Sequence, residues 1–490
     1  MDSKFLFLAN GTAAPFAAVP EYGFEQFRTA VLAKVTSGCR IMAFFAVPGG
    51  DEIKQLVAVL GDPEQHGFLV AQSRICGKFA SLTAECPAFN RFEREIWENT
   101  GIVPEGHPWL KPLRFKHDDP GVTGYFGMKG DAVHEVAVGP VHAGVIEPGH
   151  FRFECMGEDV YSLEISLGYQ HRGIENMLIN GQASRIPHLL ETAAGDTSIA
   201  AALNYAQIME ALSGVKPDES VVLLRQIALE LERCANHIGD LGALAGDVAF
   251  LPTASFCGRI RGEYLNMTAE LCGNRFGRNF IVPGGIRYEV TVVKQGRLLE
   301  WLLRVAPELW NALDLMFDAP TVLDRFENTG KVDKNTALAL GLTGVAARAS
   351  GLNVDVRRDF PVAEVTAVPV KYAGHGDVFA RAQVRYKELK NSHEFLLKKL
   401  AAMVGEIPAA SRTALNAAPD QIAISVTEAW RGELCHVALT GADGKFRAYK
   451  IVDPSFHNWE GLAMALRGEQ ISNFPICNKS FNLSYCGHDL

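Results

Sequence analysis

Several features are missing from this 490-residue sequence, and each absence excludes a class of protein. It has no run of roughly 18–20 uncharged apolar residues, the length a membrane-spanning helix requires. It has no Lys/Arg block: 47 basic residues against 56 acidic ones leave a net charge of −9. The basic footprint of a nucleic-acid binder is therefore absent. No two of its ten cysteines form a Cys-x-x-Cys pair, so local spacing marks no zinc or iron–sulfur site. Repeats, heptads and low-complexity segments are missing too. Scattered cysteines in a chain this long read as reduced, mostly buried thiols of a cytosolic protein. The N-terminal MDSKFLFLANGTAAPFAAVP is a poor export signal, because Asn10 and Gly11 interrupt its short apolar core.

What is present is globular: 48% hydrophobic and 21% charged residues, in a chain too long for one ordinary core. The pattern implies an α+β protein. A small N-terminal α+β domain spans 1–118, with strands at Ile41–Val47 and Leu56–Leu60 and a charged helix ending near Gly101. An irregular Pro/Gly-rich arm follows, which lacks backbone partners of its own and should lie against another surface. Lys116–Gly121 is the proposed boundary. A mainly helical large domain spans 119–490, with peripheral antiparallel β-hairpins. Its strands are placed at Glu135–Val138, His150–Cys155 and Asp159–Leu167, and later at Gln421–Val426, Leu434–Thr440 and Phe446–Val452. Between Ser220 and Ala245, Leu224, Ile227, Leu231, Cys234 and Ile238 recur at helical spacing. Further helices are expected at about 260–276, 290–318 and 378–403, with short pieces near 335–341 and 402–418. The C-terminal tail carries Phe474, Ile476, Phe481, Leu483 and Tyr485, too apolar to be free, and should dock into the helical core.

The stretch from Gly168 to Ala202 organises the rest. A cluster dense in charge and glycine, Gly-Tyr-Gln-His-Arg-Gly-Ile-Glu, feeds an Ala-rich helix carrying Asp196. Charges beside a nearly uncharged helix must be paired, since an isolated buried charge is too costly. A structural salt-bridge cluster is the simplest account of them.

Together these segments resemble one superfamily, the large subunits of membrane-bound, energy-converting (formate-hydrogenlyase-like) nickel–iron hydrogenases and the 49-kDa-type subunit of respiratory complex I. The resemblance rests on GPVHAGVIEPGHFRF, GYQHRGIE, LELERCANHIGDLGAL, LTGVAARASGLNVDVR, GDVFARAQVRYKEL, TEAWRGEL and DPSFHNWEGLAMALRG, in family order. EREIWENTGIVPEGHPWLKPL is similar to the end of the 30-kDa-type subunit of complex I, here fused ahead. The resemblance covers about the whole chain.

It also locates a loss. In the hydrogenases two Cys-x-x-Cys pairs hold nickel and iron, through the soft thiolates those metals require. The matching positions here are Ala194 and Thr197, then Ser484 and Gly487, and none is a thiol; Cys486 stands one residue out of register. No metal is therefore expected in this chain, nor any cofactor of its own. The complex I branch implies a quinone headgroup bound by a His and a Tyr; His142 matches the first, and Thr197 stands at the second. Glu175, Asp196, Arg431 and Arg348 are the remaining polar cavity candidates, with proton relay or structural pairing as their alternative roles.

The resemblance implies a hydrophilic-arm subunit of a membrane-bound oxidoreductase complex of the NADH dehydrogenase or hydrogenase type, coupling electron transfer or proton handling to ion translocation. It would sit at the cytoplasmic face of the membrane, beside a small subunit carrying an iron–sulfur cluster and antiporter-like membrane subunits, with no nucleic acid. The alternatives are a subunit reducing a quinone or another small redox substrate, and a purely structural subunit.

Overall fold

The computed structural model describes residues 4–49, 52–114, 124–142, 146–362, 374–410 and 415–490. The boundary proposed at Lys116–Gly121 lies outside them, as does part of the loop Gly139–His150.

The N-terminal part comprises β1 (Leu6–Ala9), β2 (Thr12–Pro15), β3 (Glu21–Tyr22), α1 (Phe24–Thr36), β4 (Arg40–Ala46), β5 (Ile53–Asp62), β6 (Gly67–Cys76), β7 (Lys78–Ala80), α2 (Asn90–Thr100) and β8 (Val103–Glu105). Seven of these strands form one sheet in the order β4–β5–β6–β7–β8, with β1 and β3 also paired to β6. Helix α1 buries Phe27 and Val31 against it, and α2 buries Phe92 and Ile96. Gly101 ends α2 at φ 75°, the left-handed C-terminal geometry that glycine adopts without strain.

The central part opens with the antiparallel meander β9 (Val133–Val138), β10 (His150–Met156) and β11 (Asp159–Ser166), then turns helical. It continues through α3 (Ile174–Asn180), α4 (Ile186–Glu191), α5 (Ser198–Ser213), α6 (Glu219–Asp247) and α7 (Leu251–Cys272). A short hairpin of β12 (Ile281–Val282) and β13 (Gly285–Ile286) precedes α8 (Val292–Phe317), α9 (Pro320–Phe326), α10 (Lys334–Ala339), α11 (Gly344–Ala349), α12 (Val356–Asp359) and α13 (Val378–Ala402). Helix α7 begins earlier than its apolar pattern suggests, because Pro252 falls in its first turn, where a missing N–H costs nothing. The short helix expected at 402–418 is not found among the described residues. Gly405 takes φ 81°, and Ile407 pairs with Val290 in an isolated bridge.

The chain closes with β14 (Gln421–Ala429), β15 (Gly432–Thr440), β16 (Phe446–Val452), α14 (Pro454–Ala465), α15 (Phe474–Phe481) and α16 (Tyr485–Asp489). The last three strands are central, not peripheral. Strand β2 crosses from the N-terminal part to complete their sheet in the order β16–β15–β14–β2. Side chains alternate along a strand, and here both faces are covered. Ile422, Ile424 and Val426 join the N-terminal core. Ala423 and Ala429 join the helical core, where α5 lies against β14. The tail docks as its composition requires: Phe474, Ile476, Phe481, Leu483 and Tyr485 are all buried. Helix α6 is the axis of the helical part, and its apolar stripe from Leu224 to Ile238 is fully buried. Its charged residues Arg225, Glu230, Glu232 and Arg233 are buried as well, so this helix has no solvated face along its middle. No helix among the described residues is long and apolar enough to cross a membrane.

Candidate functional site

Three backbone segments meet at Asp196: the turn before α5, the two-residue turn between β14 and β15, and the tail before α16. The first is fixed by hydrogen bonds to its own main chain. The Asp196 carbonyl accepts from Trp430 Nε1 at 3.1 Å and from Asn236 Nδ2, on α6, at 2.9 Å. The second is set by two glycines. Gly344 has φ 62°, and a Cβ there would lie 1.9 Å from the Arg431 carbonyl. Gly432 has φ 143°, and its Cβ would lie 2.8 Å from Gly344 Cα. Only glycine at both positions lets the start of α11 pass so close to this turn, and that approach fixes where Arg431 begins.

From there the Arg431 guanidinium reaches Asp196 through two parallel bonds, Nη1–Oδ1 at 2.7 Å and Nη2–Oδ2 at 2.8 Å. Its Nε donates to the Asn482 carbonyl at 2.6 Å, and its plane lies 3.9 Å from the Trp430 ring centroid. Such a fork-to-carboxylate pair is the strongest geometry arginine has. Burial alone would raise the pKa of Asp196, but the Arg431 charge outweighs it and holds the carboxyl below its ordinary value. The pair is unequal in exposure: the Arg431 side chain is 6% exposed and that of Asp196 34%. Thr197 Oγ1 donates to Asp196 Oδ1 at 3.1 Å.

The four positions that the resemblance matches to metal-binding thiolates are Ala194 and Thr197, beside Asp196 in sequence, and Ser484 and Gly487, which follow the Asn482 carbonyl held by Arg431; the residues there do not suit such a metal centre. Ala194 has no ligand atom. The Thr197 hydroxyl is spent on Asp196. The Ser484 hydroxyl accepts from Gly487 N–H at 2.9 Å. Gly487 has no room for a side chain: a Cβ there would stand 2.6 Å from Asp453 Oδ2, in a carboxylate already capping α14 through Ser455 N–H at 2.8 Å. The Cys486 thiol is pushed up to about 12 by burial and by the Glu147 charge, so it stays protonated and is a poor ligand. Among the described residues no group of three or more His, Cys, Asp or Glu is placed to hold a metal ion.

The remaining candidates belong to other groups. Glu175 accepts from Ile451 N–H at 2.9 Å and faces Lys450 Nζ at 3.1 Å. Lys450 is shared with Glu95, at 2.6 Å, and Glu95 in turn with Arg114, at 2.7 Å. This chain of charges joins the N-terminal part to β16, and three of its four members escaped the sequence reading. Arg348 lies deeper, with Glu388 at 2.6 Å, Glu428 at 2.8 Å and Asp355 at 3.4 Å. Arg233 and Arg357 complete that cluster, with Glu230. Four carboxyls thus face three guanidiniums. The excess falls on Glu428, pushed up to about 7 by burial and by Asp355. His142 bonds the Gly149 carbonyl through Nε2 at 3.0 Å and packs edge-on against Phe151. Only Thr197 and Arg431 are brought to Asp196.

Two further features of the GYQHRGIE cluster serve the same place. Arg172 donates to the carbonyls of Thr192 and Ala193, each at 2.8 Å, and to that of Cys486 at 3.3 Å, tying both sides of the site together. His171 Nδ1 lies 2.7 Å from the Asp489 carbonyl. Beneath Asp196, Glu232 accepts from Ile199 and Ala200 N–H at the start of α5, at 2.7 and 3.3 Å. Burial, with the Asp196 charge adding to it, pushes Glu232 up to about 8.

Residues 247–419 match the family described as the respiratory-chain NADH dehydrogenase 49 Kd subunit, and residues 38–123 match the 30 Kd subunit of the same respiratory chain. Among individual relatives, the carbon monoxide-induced hydrogenase of Rhodospirillum rubrum is 28% identical over 72% of this chain and 98% of its own length. Formate hydrogenlyase subunit 5 of Escherichia coli (strain K12) is 27% identical over 83% of this chain and 76% of its own. An NADH-quinone oxidoreductase subunit of Campylobacter jejuni is 30% identical over 56% of this chain and 67% of its own. The fold and these matches agree: the chain belongs to the family of complex I 49-kDa-type and hydrogenase large subunits, with a 30-kDa-type segment fused ahead of it.

Proposed function

We propose that this chain is a hydrophilic-arm subunit of a membrane-bound, complex-I-like assembly, and that its cavity works through charge and protons without a nickel–iron centre. The observation that carries this reading is the Asp196–Arg431 pair, seated among four positions that offer no thiol. A fixed guanidinium facing a carboxylate that keeps a third of its surface is a charge centre able to respond to a neighbour's change of charge. The subunit would lie at the cytoplasmic face of the membrane. It would contact a small subunit carrying an iron–sulfur cluster and antiporter-like membrane subunits, and would couple electron transfer in the former to ion movement in the latter. The N-terminal part stays fixed to the large part through Lys450, Glu95 and Arg114, and this supports transmission as one body.

The test is turnover of the assembled complex carrying Asp196→Asn. The amide keeps the shape and removes the charge. We expect turnover to fall at least about tenfold, or roughly 1.4 kcal/mol of lost stabilisation, in complexes of unchanged subunit composition. Full turnover would point to the structural role instead.

Quinone binding has less to support it. His142 Nε2 already donates to the Gly149 carbonyl, and Thr197 already donates to Asp196.

A further inference from the structure

A second cavity, of about 330 Å³, lies away from Asp196, where α2, the arm at Trp109–Leu113, β11 and α14 come together. Its volume falls at the small end of the range for small-molecule sites, about 300–1,000 Å³. Its lining is unbalanced in charge, with Arg91, Arg94, Lys111 and Arg467 against Glu164 and Glu460. Both carboxylates are taken: Glu164 by Lys111 at 2.7 Å and Glu460 by Arg91 at 3.0 Å. Arg94 donates Nε and Nη2 to the carbonyls of Lys111 and Pro112, at 2.9 and 2.8 Å, and has no salt bridge among the described residues. The Arg467 side chain has no hydrogen bond or ion pair among the described residues. Neither guanidinium makes a salt bridge among the described residues; the nearest carboxylates acting on Arg94, those of Glu460, Glu98 and Glu164, stand beyond ion-pair contact with it, so the recess keeps an excess of positive charge.

Two buried polar atoms of the lining residues are also unpartnered: Arg91 Nε, on a side chain that is nine-tenths buried, and Asn90 Oδ1. Native interiors pair nearly all such atoms, with protein, ordered water or a bound group. Beside them Trp109 and Phe126 are 37% and 44% exposed, their ring centroids 6.4 Å apart. Lys111 Nζ lies 4.2 Å over one face of Trp109, and the remaining open ring surface beside an excess of positive charge is suited to a molecule with a flat apolar part and an anionic end.

We propose that this cavity binds a small organic anion, a ring-bearing phosphate or carboxylate, with its oxyanion on Arg94 and Arg467 and its ring against Trp109 and Phe126. The preference is for the whole molecule: a bare inorganic ion would leave the two rings uncovered, and a neutral ring would leave the excess positive charge of the recess uncompensated.

Calorimetric titration of the full chain tests this with four probes: adenosine monophosphate, benzoate, inorganic phosphate and adenosine. At least one ring-bearing anion should bind with Kd below about 1 mM; phosphate and adenosine should bind more weakly. Arg467→Gln, at an exposed side chain that holds nothing else, should raise that Kd at least about tenfold. Trp109→Ala should weaken the ring-bearing probes and leave phosphate unchanged. Three outcomes would overturn the proposal: no probe binding, adenosine matching its monophosphate, or Kd unchanged in both variants. Binding by the free chain that vanishes in the assembled complex would also overturn it, since the occupant would then be an acidic segment of a neighbouring subunit.

Discussion

Arg431 extends from the turn between β14 and β15 and Arg348 from α11, yet one meets a single carboxylate and the other three. Around Arg348 every group is sealed: its side chain is 1% exposed, and those of Glu388 and Glu428 are at zero. Glu388 also takes a hydrogen bond from His237 at 2.8 Å. Such a cluster is over-determined, and a change in any one charge would leave others stranded in a medium that cannot solvate them. At Arg431 the guanidinium is equally buried, but its carboxylate is a third exposed and can be rehydrated. The first arrangement holds helices together. The second leaves its carboxylate in reach of water, and it lies beside positions that the resemblance matches to metal ligands.

Arg348→Ala should have the largest effect of any single change. Removing one partner of a fully buried set costs about 3–5 kcal/mol, to be seen as a large loss of thermal stability and of assembled complex. Arg431→Ala should destabilise clearly less, by about 1–3 kcal/mol, because Asp196 recovers water; equal losses in the two variants would remove the distinction between the clusters. A third effect depends on pH. The folded-state pKa of Glu232, about 8, stands above its ordinary 4.5. The folded protein therefore holds a proton that the unfolded chain has released. Stability should be greatest below about pH 4.5 for this group and should decline toward pH 8. Glu232→Gln should flatten that decline when melting is followed across the window. The smallest change is expected of Glu175→Gln. Lys450 keeps Glu95, so the loss should stay within about 1 kcal/mol, measured in the same melting experiment.

Much of this was readable in the sequence because it is local. The apolar spacing of α6, the glycine ending α2 and the tail's apolar residues each dictate a nearby structure. Ordered motifs located the Asp196 turn and the four positions without thiols. Pairings across long separations were hidden: Lys450 meets Glu95 355 residues away, and nothing at either position announces the other. The centrality of the C-terminal strands was hidden for a similar reason. Their inner face is covered by a domain encoded at the other end of the chain, and β2 leaves its own neighbours to pair with β14. Gly344 and Gly432 were visible as residues, but their purpose, letting two turns touch beside Arg431, exists only in three dimensions. The recess at Trp109 is likewise assembled from four distant segments.

The most direct measurement is the nickel content of the intact, turnover-competent complex by elemental analysis. An Asp196–Arg431 pair in place of a metal centre predicts nickel far below one atom per complex, with activity unaffected by nickel-free growth. Stoichiometric nickel that tracks activity would contradict it.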